Sequence, residues 1–419
     1  MAQSSSSSDI PSNWDQRSTT VKGPLQSIQT PYVILGLLAI IALFITTVLV
    51  VDWVQGFLFL IGLALGMALL YARFGFTSAF RRLVSVGNVQ GLQAHMLMLA
   101  VATTLFALIF SSGFSFTGVE PTGYVSPVGI SLLVGAFMFG IGMQLGSGCA
   151  SGTLYSVGGG SSSMVVTLFF FIVGSVIGAY HLAYWQTTPS LGPISLAETT
   201  GFGFFGGWAL QMALFAIIYF GTVLFAKWKN PPKMKPLTTT TGFKKILRGA
   251  WPLFSAAIVL AVLNALVLAV RGTPWGITSA FALWGGKVLD FVGVDVASWD
   301  YFTGANAEAL SSTVLADSTS VLNFGIMLGA FVSAALQGTF RPKRVKPGVV
   351  GASVIGGLLM GYGARLAYGC NIGAYFGGIA SFSLHGWIWA VMAILGTVLA
   401  LYIRPLFGLS NPKPKDSLC

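Results

Sequence analysis

The stretch Gly140–Gly152, GIGMQLGSGCASG, returns as Gly361–Gly373, GYGARLAYGCNIG, with Gly, Gly, Leu, Gly, Cys and Gly at the same offsets. A second pair lies upstream of the two copies: Phe74–Phe80, FGFTSAF, and Trp275–Phe281, WGITSAF. All four stretches follow long apolar runs, so the chain reads as two related halves. An odd number of such runs separates each stretch from its partner. If every run crosses a membrane, the second half is turned upside down relative to the first, the arrangement in which short or broken helices meet near the bilayer midplane.

The composition requires that membrane. Of 419 residues, 55% are hydrophobic and 8% charged, against roughly 25% charged in an ordinary soluble domain. Mean hydropathy is +0.81. The apolar runs reach the about 20 residues that span a bilayer as a helix, and they lack the alternation of a barrel strand. The fold class is therefore an all-α polytopic membrane protein with about ten spans, near 32–51, 53–72, 91–112, 128–147, 163–185, 204–227, 251–270, 323–340, 348–368 and 385–404. The halves divide as 31–203 and 204–405, between a polar N-terminal tail (1–30) and a C-terminal tail (406–419).

Basic residues orient the chain. The segment 228–250 holds Lys229, Lys233, Lys235, Lys244, Lys245 and Arg248, and the positive-inside rule puts it in the cytoplasm. Alternation then places both termini inside at the plasma (inner) membrane, leaving only Arg271, Lys287 and Arg365 of the basic residues on the far side. The net charge of +11 is thereby explained by inner loops that face anionic membrane lipids, with no need for nucleic acid. No nucleotide-binding loop is visible. Cys149, Cys370 and Cys419 are too few and too scattered for a disulfide framework or a zinc site, and His95, His181 and His385 are not at ligand spacing. No cofactor is called for. The histidines read as packing or interfacial residues, Trp275, Trp284, Trp299 and Trp387 as interface belts, Gly135 and Gly140 as helix-packing glycines, and Cys419 as a tail residue without a role.

Four pieces, 75–86, 149–160, 276–290 and 370–381, are too short to span and begin beside Gly, Thr or Cys. They are predicted to be short re-entrant helices inside the bundle, since irregular backbone at that depth survives only in protein or along a wet cavity. At Gly148-Cys149 and Gly369-Cys370-Asn371 a thiol then stands at a helix start, where free amides favour an anion. No cation adjoins Cys149, so a neutral thiol is expected, soft and suited to a ligand that carries its own sulfur or selenium. Arg365, one turn before Cys370, either draws a dianion to the entrance or snorkels to the headgroups.

These residues carry a resemblance. Arg73–Arg81, Phe139–Gly160, Trp275–Asp290 and Gly361–Trp387 resemble the YeeE/YedE family, whose best understood members take up thiosulfate and others of which are associated with selenium metabolism. The resemblance runs from about residue 50 to 405, and the second half is closest to the YedE branch. It implies an hourglass-shaped bundle in which a small sulfur-containing anion passes between unchanged thiols, with the two Gly-Cys sites falling on Cys149 and Cys370. The family's third cysteine, in an Arg-Phe-Cys motif, is replaced here by Gly75. Thr77, Ser78 or a main-chain amide then stands in for it, with Thr278 at the matching place of the second copy, or the cargo differs. Three other readings stay open: a selenium or other sulfur cargo, a membrane sulfurtransferase that carries a cysteine persulfide, and a scaffold for a soluble sulfur-carrier protein on the cytoplasmic side.

Overall fold

The structure, a computed structural model, describes residues 27–198, 201, 203–232 and 248–414. Nearly all of the N-terminal tail, the lysines Lys233, Lys235, Lys244 and Lys245, and Cys419 lie outside the described residues. Among those described, ten helices are long and apolar enough to cross a membrane. The main chain of such runs must satisfy its own amides, and helices do so within one segment.

The helices of the first half, spanning and short together, are α1 (Thr30–Val50), α2 (Trp53–Ala72), α3 (Phe76–Val86), α4 (Gln90–Ser112), α5 (Ile130–Leu145), α6 (Ala150–Gly158), α7 (Ser162–Tyr180) and the short α8 (Leu182–Gln186). The second half runs α9 (Gly203–Lys229), α10 (Leu253–Arg271), α11 (Thr278–Phe291), α12 (Ala305–Ser311), α13 (Ser318–Gln337) and α14 (Pro347–Leu366). It ends in α15, a π-helical piece Asn371–Gly377 continuing into Gly378–Ala380, and α16 (Leu384–Ile403). One two-stranded antiparallel ribbon, β1 (Pro127–Gly129) with β2 (Ser190–Pro193), was not foreseen by the hydropathy pattern. The span expected over 323–340 starts earlier, at Ser318, because the Asp317 carboxylate accepts the Ser320 amide at 2.8 Å and its hydroxyl at 2.5 Å.

Packing partners recur in the two halves. α1 and α2 pack on α13, while α9 and α10 pack on α4; α5 and α3 pack on α16, while α14 and α11 pack on α7. α5 and α14 cross each other. At that crossing a Cβ on Gly135 would stand 2.7 Å from the Gly363 carbonyl, and one on Gly142 would stand 2.8 Å from the Gly356 carbonyl. Gly135 and Gly356 occupy matching positions in the two halves, as do Gly142 and Gly363, so the two contacts exchange as a two-fold axis would exchange them. Gly135 and Gly140 are packing glycines, the latter against Ala393.

The connections gather at two ends. Gly87 lies against Lys229, Gly160 against Phe340 and Arg341, and Arg248 donates to Leu336 O at one end, which is rich in basic residues. At the other, Gln55 donates to Ala316 O, the Thr122 amide to Gly272 O, and the Leu196 amide to Phe382 O, among Asp52, Glu120, Glu198 and Asp317. α3 leaves a buried start at Phe76 for the basic end; α11 leaves a buried start at Thr278 for the acidic end, where Phe291 is exposed. Trp275 departs from its expected place in an interface belt. It is fully buried, with its amide donated to Asn264 Oδ1 at 2.8 Å, because the turn it belongs to lies inside the bundle.

Candidate functional site

Three of the four short helices begin where a non-glycine residue with positive φ halts the preceding helix. Arg73 (φ 48°) precedes Gly75, Ser147 (φ 63°) precedes Cys149, and Tyr368 (φ 57°) precedes Cys370; at the fourth turn Gly272 (φ 78°) has this part ahead of Gly276. Such conformations are held against local strain by surrounding packing, and they cluster at functional sites. Gly369, at φ 145°, is confined to glycine, and a Cβ there would stand 2.9 Å from the Ala374 amide nitrogen. Gly148 is different: a Cβ would meet nothing nearer than 3.4 Å.

Cys149 caps α6 with an extended backbone; its carbonyl accepts the Thr153 amide at 2.7 Å and the Thr153 hydroxyl at 2.8 Å. Its sulfur lies 3.4 Å from Ser151 Oγ. The Thr77 hydroxyl faces the same thiol. It is buried and falls short of hydrogen-bond geometry with any partner. Ser78 turns away, donating to the Gly75 carbonyl at 2.9 Å. On the other copy, Cys370 Sγ accepts the Ile372 amide at 3.4 Å, which leaves its S–H free to donate. The Cys370 carbonyl accepts both the Ala374 amide (2.9 Å) and the Tyr375 amide (3.3 Å), the latter the i to i+5 bond that opens the π-helical piece. Asn371, beside it, is fully buried with neither amide atom partnered. Each such group costs about 1–3 kcal/mol if it stays unsatisfied.

The two corners meet. α6 touches α15, and Cys149, Cys370, Phe76, Ile372 and Tyr375 belong to one continuous buried cluster. Both thiols are free and buried, 1% and 0% exposed, within this apolar cluster. His95 fills the space behind them as a packing residue, within 4.6–6.0 Å, centroid to centroid, of the rings of Phe74, Phe76, Phe80 and Tyr375. His385 is buried with Nδ1 2.5 Å from Ser383 Oγ.

Arg365 does not snorkel. It is 9% exposed and turned inward, its Nη2 donating to Thr278 Oγ1 at 2.8 Å and its Nη1 to Tyr301 Oη at 2.7 Å. Thr278, the first residue of α11, thus meets Arg365, while Thr77, at the matching place in α3, meets Cys149. Gln144, Tyr124 and Tyr301 also reach these corners, and none stood out in the sequence. For Gln144 a signal existed, since it holds the Arg365 position in the other copy of the repeated stretch. Among the described residues no group of His, Cys, Asp and Glu is placed to hold a metal ion.

Known proteins are similar to this one over most of the chain. The thiosulfate transporter TsuA of Escherichia coli (strain K12) is 28% identical over 369 residues, 82% of this chain and 94% of the relative. TsuA of Spirochaeta thermophila is 29% identical over 350 residues, 80% and 95% of the two chains. The probable transporter YedE of E. coli K12 is 33% identical over 148 residues, and there the match spans only 36% of the relative's length. The sulphur transport family matches residues 71–399, a stretch that contains all four turns and both buried thiols, and the chain is a member of that YeeE/YedE family.

Proposed function

We propose that the protein carries a small sulfur-containing anion, thiosulfate in the first place, across the plasma membrane into the cytoplasm, with the anion handed from Cys370 to Cys149 without covalent change. The observation that carries this reading is the pair of thiols at matching helix starts in one buried cluster, on helices that touch. Similarity to TsuA over most of the chain supports the cargo. The positive-inside rule, applied to the basic end, supports the orientation, with Cys149 nearer the cytoplasm than Cys370.

Neutral thiols suit the outer sulfur of thiosulfate, whereas a covalent mechanism needs a base or cation to make a thiolate. The groups that adjoin the two sulfurs are serine and threonine hydroxyls and main-chain amides. That chemistry favours transport over sulfurtransfer. Because both thiols are buried, passage requires the corners to part in turn.

Uptake of labelled thiosulfate into proteoliposomes tests the proposal. Cys149→Ala and Cys370→Ala are each expected to fold, judged by elution and melting temperature, and to lower uptake about tenfold or more, as loss of a path contact worth more than about 1.4 kcal/mol would. Full uptake by both variants overturns the thiol path. An adduct of about 32 Da, one sulfur atom, on either cysteine after turnover that a thiol reductant removes, as it would not remove the isobaric sulfinic acid, would instead establish a persulfide carrier.

A further inference from the structure

The acidic end holds a second guanidinium in addition to that of Arg365. Arg271, the last residue of α10, donates from Nη2 to Tyr124 Oη at 2.9 Å, from Nη1 to Ser318 Oγ at 3.3 Å and Thr319 Oγ1 at 3.2 Å, and from Nε to Thr273 Oγ1 at 2.7 Å and the Thr273 carbonyl at 3.2 Å. Arg365 donates to Tyr301 and Thr278, its Nε is buried without a partner, and the Tyr301 ring lies 5.6 Å from its guanidinium carbon. Every acceptor named here is a hydroxyl or a carbonyl. Guanidinium forks match oxyanions far better than they match neutral oxygens.

Both cations flank one short turn. A Cβ on Gly276 would stand 3.1 Å from Tyr124 Oη and 3.9 Å from Arg271 Nη2, and two residues on, Thr278 receives Arg365. There α11 begins, a helix of 14 residues whose first turn no side chain caps. Its free amides and dipole add to the positive field. The two tyrosines come from connecting segments. Tyr124 lies over Gly373 and Gly377 of α15, 4.0 and 3.1 Å from where their Cβ atoms would be, so it covers the helix that starts at Cys370. Tyr301 belongs to a segment seated on α11 by Phe302, which packs on Gly286, and by Lys287 Nζ, which donates to the Leu310 and Ser312 carbonyls at 2.6 and 2.5 Å.

We infer that the Gly276–Thr278 turn, between Arg271 and Arg365, is the capture site for a divalent sulfur oxyanion, and that Tyr124 and Tyr301 hold its place, their hydroxyl oxygens filling positions that the anion's oxygens take on arrival. The inference rests on the transport reading and extends it. Oxygens held by the two arginines leave the terminal sulfur to turn toward Cys370, and displacement of Tyr124 uncovers that cysteine's helix. Capture and opening are one event.

The test is a titration of external thiosulfate against uptake, paired with binding of thiosulfate to the detergent-solubilised protein read by tryptophan fluorescence. Arg271→Gln raises half-saturation about tenfold or more with maximal rate kept, the loss expected for a charge-assisted contact, and Arg271→Lys falls between. Tyr124→Phe and Tyr301→Phe, which remove only a competing oxygen, lower half-saturation several-fold, and they decide the matter even if Arg271→Gln fails to fold. Wild-type uptake with half-saturation unchanged in both tyrosine variants overturns the capture site. Binding that is weakened in Arg271→Gln and strengthened in the tyrosine variants, with no uptake by the wild type, upholds the site and overturns transport.

Discussion

Gln144 and Arg365 occupy the same place in the two copies of the repeated stretch, and each reaches to the threonine at the start of a neighbouring short helix. Gln144 Nε2 donates to the Thr77 carbonyl at 3.1 Å and to Thr397 Oγ1 at 3.2 Å; Arg365 Nη2 donates to the Thr278 hydroxyl at 2.8 Å. A neutral amide is therefore enough to tie a short helix to the crossing helix beside it. The fold needs a donor there and does not need a charge. Buried cations are costly in a membrane. The one at the Gln144 corner, Arg404, is turned to the Gln144 and Ser410 main-chain carbonyls and to Asn411, whereas Arg365 turns its charge to Thr278 at the start of α11. In the transport reading, that asymmetry gives a path through two like halves a receiving end and a releasing end.

The sharpest way to break the comparison is to put the charge in the other half. Gln144 is fully buried, and the guanidinium of Arg404 already donates to its main-chain carbonyl. Gln144→Arg sets a second cation beside the first with no carboxylate supplied. A loss of about 3–5 kcal/mol is expected, the scale of an uncompensated buried charge, with melting temperature in detergent as the measure. A variant that folds as well as the wild type would show that the two corners tolerate charge alike.

The converse exchange makes the halves equal. Arg365→Gln keeps a donor for Thr278 and removes the charge, so folding is expected to survive while external half-saturation rises roughly 10- to 150-fold, the range that corresponds to about 1.5–3 kcal/mol for a hydrogen bond to a charged group. Unchanged half-saturation would make Arg365 a structural donor like Gln144. The packing symmetry is tested by valine at Gly142 and at Gly363. A Cβ at the first would stand 2.7 Å from the Met360 amide nitrogen, at the second 2.5 Å from the Gly135 carbonyl. Both substitutions prise α5 from α14, each at about 1–3 kcal/mol, and equal losses are expected; a twofold disparity in the two losses would deny the crossing its symmetry.

How far this was legible in the sequence depended on the kind of signal. Apart from α8 and α12, which no signal announced, the helices follow apolar runs or glycine-rich breaks, so the spans and all four short helices could be placed within a few residues, and a cap such as Asp317 moved a boundary that hydropathy alone set late. The cysteines stood out because a whole motif recurred around them. Trp275 misled, since an indole near a loop reads as interfacial until the loop is known to turn inward. Tyr124 and Tyr301 carried no signal at all: they lie in polar connections, and what matters about them is the distant arginine each one meets. Aligning the two halves residue by residue would have found Gln144, because its meaning is its correspondence with Arg365.

The smallest effect is expected where the chain departs from its family. Gly75 has an extended backbone, φ −137°, that any residue adopts, and a Cβ there would stand 2.9 Å from Ser78 Oγ, a hydroxyl that can rotate away at the cost of its bond to the Gly75 carbonyl. Gly75→Cys should therefore fold. If the Thr77 hydroxyl, which faces Cys149, already supplies the missing polar contact, the added thiol duplicates a neutral hydrogen bond of about 0.5–1.5 kcal/mol, and thiosulfate uptake changes by roughly tenfold at most. Competition by selenosulfate and sulfite, measured on both proteins, separates the alternatives. A variant whose preference moves from a selenium species to thiosulfate would show that Gly75 sets the cargo, whereas parallel inhibition curves would assign selection to the two thiols that both proteins keep.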